Sequence, residues 1–585
     1  MDFRNDVLFD DFSEVWFCDT EFRGVNGHDG DRPDPVALTA VELRSGRTIV
    51  LWRDALDSEP PFDIGPHSLV VGFYLSAEFG VFHAKGWSRP ENILDLFVEF
   101  RNLHNGHPVG ASLLAVLDFY GFPHASQIHK DSMRDLVLRG GPWSDVERAA
   151  ILRYCLEDTT DTKRLFERMR SQIDLPRALL RGQFMWAAAA MEWTGIPIDT
   201  ETLNLLQEHW SDILNLLIRR TDEAYGVYDG RSFKLVAFDA YLAERGIPWR
   251  RTPSGRLDLT DDYFRDQAKA HPCLMALQQL RATLTKLRLD KLQIGSDGRN
   301  RVLLSAFRSR TGRCQPSNAK GVFGLNVWTR RLIRPPPGWA VAYLDYAAQE
   351  PGIMAALSGD PAMVAAYKSG DVYLAFGKQA GLIPPDATKA SHKDERESYK
   401  PIVLGTAYGL AEHSLAERLG IFGFQARELL QLHRDTYPVF WKWSDAQVDQ
   451  TILTGRNTTV FGWQVHATNS AKPNMFRNWP IQSTGSEMLR LACILGVERG
   501  IQICMPVHDA VLIQAQIEQI EQAVAEMRDA MVEASTMVLD GFELRVDDHV
   551  SRYPETFRDP SRRDEKLWDI IQDLMRPYAS QRVRA

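Results

Sequence analysis

The sequence predicts a multidomain protein that combines α/β and α+β architecture, on the basis of its length and of two recurring patterns. The chain has 585 residues, which corresponds to about four domains of ordinary size. Short apolar runs typical of buried strands occur in both halves, and long stretches with helical spacing lie between them. Apolar residues make up 44% and charged residues 25% of the chain, and this composition excludes a collagen-like, coiled-coil or disordered protein.

The predicted elements follow one another along the chain. Apolar runs bounded by turn residues predict strands over 13–21, 340–344, 501–505 and 511–514. Helical spacing predicts a helix over 146–170, mostly helical structure over 177–291, and further helices from Asp345 to about residue 450. Strand 340–344 leads into Asp345, and the last two strands are joined by a tight turn that carries His508 and Asp509.

Charge is distributed unevenly. The net charge of −9 taken alone disfavours a nucleic-acid partner. Residues 298–344, however, contain no Asp or Glu and nine basic residues, namely Arg299, Arg301, Arg308, Arg310, Arg313, Lys320, Arg330, Arg331 and Arg334. A concentrated basic segment in an acidic protein predicts a surface for an anionic partner, so the position of the charges matters more than their sum.

Several sequence patterns bear on the cellular compartment of the protein. The six cysteines include no CxxC pair, which argues against a disulfide scaffold or a zinc knuckle and favours a reducing cytosol. No stretch approaches the roughly 18–20 apolar residues that a membrane-spanning helix needs. The first six residues show no basic leader followed by an apolar run. The expectation is therefore a cytoplasmic protein without a membrane partner.

Acidic residues collect at one predicted strand end in the N-terminal region. Asp19 and Glu21 have i, i+2 spacing, which puts both carboxylates on one side of a strand. Tyr154 and Asp158 lie four residues apart and therefore share one face of a helix. Converging carboxylates repel one another unless cations lie between them, and oxygen ligands suit Mg²⁺ or Mn²⁺. The alternative is that these acids are solvated strand ends.

A second pair of acids follows two later strands. Asp345 closes an apolar strand and Asp509 lies in the turn after another. Two aspartates on neighbouring strand ends meet the requirement of a two-metal phosphoryl-transfer site. The alternative for either residue is a turn aspartate that caps a backbone amide.

One face of a predicted helix carries Arg396, Lys400, Leu404 and Tyr408 at intervals of four residues. Fixed positive charge suits a triphosphate, and an aromatic ring suits a base. A solvated basic face is the alternative. Pro401 leaves open whether the helix begins or kinks near Lys400, because proline in a helix interior removes one hydrogen bond.

Taken in order, these segments resemble family A DNA polymerases, the bacterial DNA polymerase I class, and especially its phage-type members. The matching segments are Thr311-Gly312-Arg313, Asp345 to Glu350 (motif A), Arg396 to Gly409 (motif B), Asn478 to Gln482, and Val507-His508-Asp509 (motif C). Each segment is weak alone, and the specificity lies in their order and internal spacing.

The resemblance implies a role for each matching residue. Asp345 and Asp509 would bind two Mg²⁺ ions, with Mn²⁺ possible, and Lys400 would neutralise the leaving group. The nucleotide-binding residues would be Glu350, Arg396, Lys400, Leu404 and Tyr408, with Glu350 excluding a ribose 2′-hydroxyl. Leu404 replaces a usual aromatic residue near the sugar 3′ position. The DNA-binding residues would be Arg313, Asn478, Gln482 and His508.

The N-terminal acids resemble the DEDD-type 3′–5′ exonuclease domain that is fused to these polymerases. Asp19 and Glu21 match its first motif, and Tyr154 and Asp158 match its third. In the second motif Tyr74 stands where asparagine is usual and Glu78 where aspartate is usual. The resemblance implies metal binding by Asp19, Glu21, Glu78 and Asp158, with Tyr154 orienting the attacking water.

The implied fold is an RNase H-like exonuclease domain followed by a right-hand polymerase of thumb, palm and fingers. The expected domains are the exonuclease (1–175), thumb (176–300), first palm part (301–355), fingers (356–475), and second palm part with the C-terminal tail (476–585). This division leaves no segment for a 5′ nuclease. The expected partners of the monomeric enzyme are primer–template DNA and dNTPs, in a phage, prophage or plasmid replicon. The sequence identifies no helicase, primase or processivity factor.

Two other functions remain open from the sequence. A single-subunit RNA polymerase would share the palm and the two-metal logic, although Glu350 and the exonuclease motifs argue against it. A nuclease-only or non-catalytic protein could bind primer–template DNA through a degenerate polymerase site, although Asp345, Lys400 and Asp509 are retained.

Overall fold

The computed structural model describes residues 8–27, 30–286, 289–468, 472–560 and 565–584. The first six residues, which carry no predicted signal peptide, lie outside these ranges. Helices and strands are mixed throughout the described residues, which confirms the predicted mixed class. None of the helices in these ranges combines the length and the hydropathy that crossing a bilayer requires.

The N-terminal region contains one mixed sheet with helices around it. Its strands are β1 (Glu14–Gly24), β2 (Pro33–Glu42), β3 (Thr48–Trp52), β4 (Ser68–Gly72) and β5 (Asn92–Asp95). Its helices are α1 (Ser76–Lys85), α2 (Leu96–Leu103), α3 (Leu113–Tyr120), α4 (Gln127–Arg139) and α5 (Asp145–Met169). The sheet order is β3-β2-β1-β4-β5, in which β1 is antiparallel to β2 and parallel to β4. The strand predicted over 13–21 and the helix predicted over 146–170 are thus confirmed as β1 and α5.

Strand β1 is central because both of its faces are covered. Trp16 and Cys18 contribute to the large core of the molecule, whereas Val15 and Phe17 belong to a second cluster on the opposite face of the sheet. This alternation follows the period of two along a strand. The run of buried apolar residues in β1 ends just before Asp19, where the chain reaches the first acidic cluster.

The middle region is mostly helical, as predicted. Its helices are α6 (Leu175–Thr194), α7 (Thr200–Asp222), α8 (Leu235–Glu244), α9 (Asp261–Ala270) and α10 (Met275–Lys286). Short strand pairs join them, namely β6 (Ile196–Pro197) with β9 (Arg299–Asn300), and β7 (Tyr228–Asp229) with β8 (Ser232–Phe233). Helix α6 packs against β5 on one side, where a Cβ on Gly182 would lie 2.0 Å from the Ile93 carbonyl oxygen. Only glycine permits this approach, which joins the N-terminal sheet to the rest of the core.

The C-terminal region surrounds a second sheet. Its strands are β10 (Trp339–Tyr346), β11 (Arg456–Thr458), β12 (Gln464–His466), β13 (Gln502–Val507), β14 (Ala510–Gln516) and β15 (Val546–Arg552). The helices are α11 (Gln349–Ser358), α12 (Pro361–Lys368), α13 (Val372–Gln379), α14 (Lys393–Ala407), α15 (Glu412–Leu419), α16 (Gly423–Thr436), α17 (Pro438–Thr454), α18 (Pro473–Glu498), α19 (Ile520–Val538) and α20 (Glu565–Arg584). The antiparallel sheet has the order β13-β14-β10-β15, so the three strands predicted here are confirmed.

Helix α14 settles the question that Pro401 raised. The helix begins at Lys393, so Lys400 lies in its interior, and it continues through Pro401 to Ala407. Arg396, Lys400 and Leu404 therefore share one helix, and Tyr408 is its C-terminal cap residue.

Candidate active sites

The first candidate site lies at the end of β10, where two aspartates meet. Asp345 is paired with Ala510 in the β10–β14 register, and the Tyr346 amide donates to the Asp509 carbonyl at 3.4 Å. Burial, followed by repulsion from Asp509, raises the pKa of Asp345 to about 8. The two predicted carboxylates are therefore brought together, and their mutual repulsion favours a proton or a metal cation between them.

Two non-glycine residues beside this pair have left-handed backbone conformations. His508 has φ +57° in the turn before Asp509, and Ala348 has φ +50° before α11. Such conformations are unfavourable for residues with a Cβ and are often found at functional sites. Burial lowers the pKa of His508, Asp509 opposes this shift, and the positive charges of Arg313 and Arg330 add to it.

A third carboxylate of this region has no motif in the sequence. Asp547 of β15 lies directly opposite Asp345, and its charge contributes to the raised pKa of that residue. Opposite residues in antiparallel strands project to the same face of the sheet. The side chain of Asp547 is exposed. Only the pairing of two strands that are about 200 residues apart in the sequence brings it here.

A hydrogen-bonded triad connects three helices near the aspartates. The Gln482 amide on α18 donates to a carboxylate oxygen of Glu350 on α11 and, at 2.9 Å, to the hydroxyl of Tyr408. Burial and the nearby Glu350 charge raise the pKa of Tyr408. Three residues predicted separately thus form one site, and Gln482 fixes the position of the Glu350 carboxylate.

The cations of α14 are placed around an aromatic ring. The guanidinium of Arg396 lies 5.2 Å and the ammonium of Lys400 lies 5.8 Å from the ring centroid of Tyr373, which sequence reasoning missed. Arg396 also pairs with Asp371 at 2.5 Å, and Lys400 pairs with Glu397 at 2.7 Å. Both cations are therefore paired with acidic side chains in this structure.

A cleft of about 1730 Å³ lies between α14 and the segment that carries α8, α9 and α10. Lys400, Leu404 and Gly405 line one wall, and Trp249 and Tyr263 lie on the other. Neither Asp345 nor Asp509 is among its lining residues. The cleft therefore adjoins the α14 face and is separate from the carboxylate pair.

The predicted DNA-binding residues Arg313 and Asn478 contain buried atoms without hydrogen-bond partners. These atoms are the Arg313 Nε and the Asn478 Oδ1. The loop before Arg313 is held by Arg490 of α18, which donates to the Gly312 carbonyl at 2.8 Å. The charge of Arg313 acts on both Tyr408 and His508, so the loop reaches the triad and the aspartate pair.

The basic segment 298–344 does not lie entirely on the surface. Arg301, Arg330 and Arg334 form ion pairs within the chain, with Asp297, Asp559 and Asp199 respectively. Arg299 donates to the Thr194 and Gly195 carbonyl oxygens. At least these four of the nine cations therefore make contacts within the chain, and the surface for an anionic partner stays a prediction.

Arg308 and Arg310 behave differently from those four residues. Both are exposed, and their charges, together with burial, lower the pKa of Arg101 on α2. The Arg101 guanidinium donates to the Arg308 carbonyl at 2.5 Å, while its Nε is buried without a partner. None of the three arginines forms an ion pair within the ranges that the structure describes. They form an arginine cluster (Arg101, Arg308 and Arg310) suited to an anion.

The second candidate site gathers the acids of the N-terminal region. Asp19 and Glu21 lie on β1, Glu78 lies on α1 and Asp158 lies on α5. The Thr20 hydroxyl donates to Glu78 at 2.5 Å. Burial, followed by repulsion among the acids, raises the pKa values of Asp19 and Glu21. Burial also raises the pKa of Glu78 to about 8. The four predicted ligands therefore form one cluster.

Tyr154 lies beside this cluster, and Tyr74 faces away from it. The Tyr154 hydroxyl is near enough to Asp158 for the charge of that carboxylate to raise its pKa, in addition to the larger effect of burial. Tyr74 has φ +70°, its amide donates to Asp95 at 3.2 Å, and its ring packs edge-on against Phe97. The altered second motif thus still delivers Glu78, while Tyr74 is used in packing.

The comparison with protein families matches the C-terminal half of the chain. Residues 318–552 match the model of DNA polymerase family A. This segment of the chain is similar to the family A polymerase domain. The matched range contains Asp345, Glu350, Lys400 and Asp509 and excludes the N-terminal cluster.

Individual family A polymerases are similar over a longer range. The chain is 25% identical to DNA polymerase I of Chloroflexus aurantiacus over 446 residues, which cover 68% of this chain and 46% of that protein. It is 24% identical to the thermostable DNA polymerase I of Thermus aquaticus over 433 residues, covering 67% and 50%. It is 24% identical to the DNA polymerase of Mycobacterium phage D29 over 441 residues, covering 69% and 68%. The matches thus span about half the length of the bacterial relatives.

The fold is similar to that of a solved polymerase domain. The POL domain of Pol1 from M. smegmatis, in complex with DNA primer-template and dNTP, superposes with a TM-score of 0.68 at 19% identity. The superposition covers 92% of this chain and 95% of that domain. The likeness therefore extends through the N-terminal region that the family model does not match.

Divalent cations fit both candidate sites by the chemistry of their donors. Within the described ranges, no three or more His, Cys, Asp or Glu side chains are already arranged as a metal site. Each cluster does contain a buried carboxylate oxygen without a hydrogen-bond partner, Oδ1 of Asp345 in one and Oδ2 of Asp19 in the other. Carboxylate oxygens are the preferred ligands of Mg²⁺ and suit Mn²⁺. The donor atoms of both clusters therefore suit such ions.

Proposed function

We propose that this chain is a template-directed DNA polymerase that adds dNTPs to a primer 3′ end. The observation that carries the proposal is the joining of Asp345 and Asp509 at one sheet edge, within the segment that matches family A. The Glu350 triad and the cations of α14 lie in the same matched segment. The relatives named as DNA polymerases and the solved domain bound to primer-template and dNTP support the same partners for this chain. The phage D29 relative supports a replicative role in a phage, prophage or plasmid.

The proposed domains follow from this function. Residues 1–175 would form the exonuclease domain and 176–300 the thumb. Residues 301–355 and 476–585 would form the palm, and 356–475 the fingers. The shared sheet of β10, β13, β14 and β15 supports a palm built from two separate parts of the chain. The superposition over 92% of the chain supports the arrangement as a whole.

The reaction assigns distinct tasks to the side chains. Asp345 and Asp509 would hold two Mg²⁺ ions, or Mn²⁺, which when bound activate the primer 3′-hydroxyl and neutralise developing charge. Arg396 and Lys400 would bind the triphosphate after releasing Asp371 and Glu397, the acids that pair with them here. Lys400 would neutralise the leaving pyrophosphate.

The remaining residues would position the substrates. Tyr408 would pack at the templating position, and Glu350, held by Gln482, would lie under the sugar. Arg313 and Asn478 each offer a buried polar atom without a partner, which suits contacts to primer–template DNA. His508 lies beside Asp509 and would contact the primer end.

We further propose that the N-terminal cluster is a 3′–5′ exonuclease site. Asp19, Glu21, Glu78 and Asp158 would hold the metal ions, and Tyr154 would orient the attacking water. The raised pKa values of the acids and the orphaned oxygen of Asp19 support this assignment. The whole protein would then extend and proofread the same primer.

Primer extension tests the proposed function. The full chain is incubated with a labelled primer–template and Mg²⁺, with dNTPs, with ribonucleotides, or with no nucleotide. We expect extension with dNTPs only and shortening without nucleotides. Extension with ribonucleotides alone would instead identify an RNA polymerase, and the absence of both products would identify a non-catalytic DNA-binding protein.

Replacing Glu350 with Ala is expected to weaken the selection of deoxyribonucleotides. Removal of the half-buried carboxylate opens space for a ribose 2′-hydroxyl, so discrimination between dCTP and CTP should fall by about tenfold or more. The ratio of kcat/KM values for the two nucleotides measures this effect. Glu428→Ala, at an exposed site on α16, is the matched control and should keep the ratio. An unchanged ratio for Glu350→Ala would favour a purely structural role for this carboxylate.

Replacing Arg308 and Arg310 together with Ser is expected to reduce the salt dependence of duplex binding. Each cation that contacts a phosphate contributes about 0.9 to the slope of log K against log salt, so the slope should fall by about two. The slope is measured from the binding of a labelled primer–template at salt concentrations between about 50 and 200 mM. Arg552→Ser is the control, because this arginine pairs with Glu521. An unchanged slope in the double variant would mean that the arginine cluster does not contact the duplex.

A further inference from the structure

A lysine enters the N-terminal acidic cluster from a helix that no motif marks. The ammonium of Lys130 on α4 lies 2.7 Å from one carboxylate oxygen of Asp158 and 2.9 Å from the other. The side chains are only 14% and 12% exposed, so this is not an ordinary solvated ion pair. The ammonium also lies 5.7 Å from the ring centroid of Tyr154.

Lys130 acts on three of the four acids of the cluster. Its charge lowers the pKa values of Asp19, Glu21 and Asp158, against the larger effect of burial. Asp158 is therefore a carboxylate with two possible positive partners, the ammonium of Lys130 and a divalent cation. Both would use the same oxygen atoms, and two cations at one carboxylate repel each other.

We propose that Lys130 is a built-in counter-ion of the exonuclease cluster, which competes with divalent cations for Asp158. The inference rests on the proposed exonuclease function. The ammonium stabilises the ionised forms of Asp19, Glu21 and Asp158 while no metal is bound, and metal binding displaces it from at least one Asp158 oxygen. The long, flexible lysine stem permits this movement. The consequence is a site that needs a higher metal concentration than its four carboxylates alone would need.

Metal affinity tests the competition without reference to activity. The full chain carrying Asp345→Asn and Asp509→Asn, which removes the carboxylates of the other site, is titrated with Mn²⁺ by calorimetry. Adding Lys130→Met should tighten Mn²⁺ binding by about tenfold, because one opposing charge is lost. Lys130→Arg should retain the affinity of the unmodified cluster. Lys163→Met is the matched control, since Lys163 on α5 donates to the Leu43 carbonyl.

A second readout is the thermal unfolding of the metal-free protein. Lys130→Met should lower the midpoint in a chelator, because the acids then lack their counter-ion, and Mn²⁺ should restore it. Lys130→Gln serves the same comparison if the methionine variant does not fold. Unchanged or weaker Mn²⁺ binding in these variants overturns the competition. If Mn²⁺ binds but Asp19→Ala does not weaken it, the exonuclease assignment itself fails.

Discussion

Asp345→Asn is expected to abolish primer extension while leaving primer shortening intact. The substitution preserves the shape of the side chain but removes one of the two charges that are proposed to hold the metal ions. Metal-assisted catalysis contributes several kcal/mol of transition-state stabilisation, so dNTP addition should slow by about a thousandfold or more. Single-nucleotide addition to a labelled primer, measured by rapid quench, gives the rate.

The control for this substitution lies on the neighbouring strand. Asp548 of β15 pairs with Arg528 and is opposite Leu344 in the register with β10. Asp548→Asn should leave extension within about twofold of the original rate, as expected of a surface pair. Normal extension by Asp345→Asn would contradict the placement of the polymerase site. Loss of shortening as well would indicate a fold defect.

Asp19→Asn is expected to produce the opposite result. Asp19 lies at the end of the buried run of β1, and its carboxylate contributes to the N-terminal cluster. Removing this charge should slow shortening of a labelled primer by about a thousandfold or more and spare dNTP addition. Shortening is measured without nucleotides, by the loss of full-length primer over time.

Asp135→Asn is the matched control for Asp19→Asn. Asp135 lies on α4 in the same region, and its side chain is exposed. Primer shortening by this variant should not change. If Asp19→Asn still shortens the primer, the exonuclease assignment is contradicted. This result does not depend on the outcome for Asp345→Asn.

The sequence predicted those site residues whose signals are local. An apolar run that ends in an acid marks both a strand and the group that the strand presents, as for Asp19 and Asp345. The two strands around His508 and Asp509 were recognisable for the same reason. The helix predicted from the spacing of Arg396, Lys400 and Leu404 is likewise present as α14, although Pro401 lies within it.

The sequence could not predict contacts between distant segments. Asp547 lies opposite Asp345 only because β10 pairs with β15. Lys130 contacts Asp158 only because α4 packs against α5. The number of basic residues in segment 298–344 was also a poor guide to the charge at the surface. A count does not distinguish a cation on the surface from one that is paired inside the fold. Arg301 and Arg334 belong to the second kind.

The most direct test of two separate carboxylate sites compares both reactions in one set of proteins. The original chain, Asp345→Asn, Asp19→Asn and the double variant are assayed on the same labelled primer–template, with and without dNTPs. We predict that Asp345→Asn only shortens the primer, that Asp19→Asn only extends it, and that the double variant does neither. Loss of both reactions in either single variant, with an unchanged unfolding midpoint, would contradict this separation.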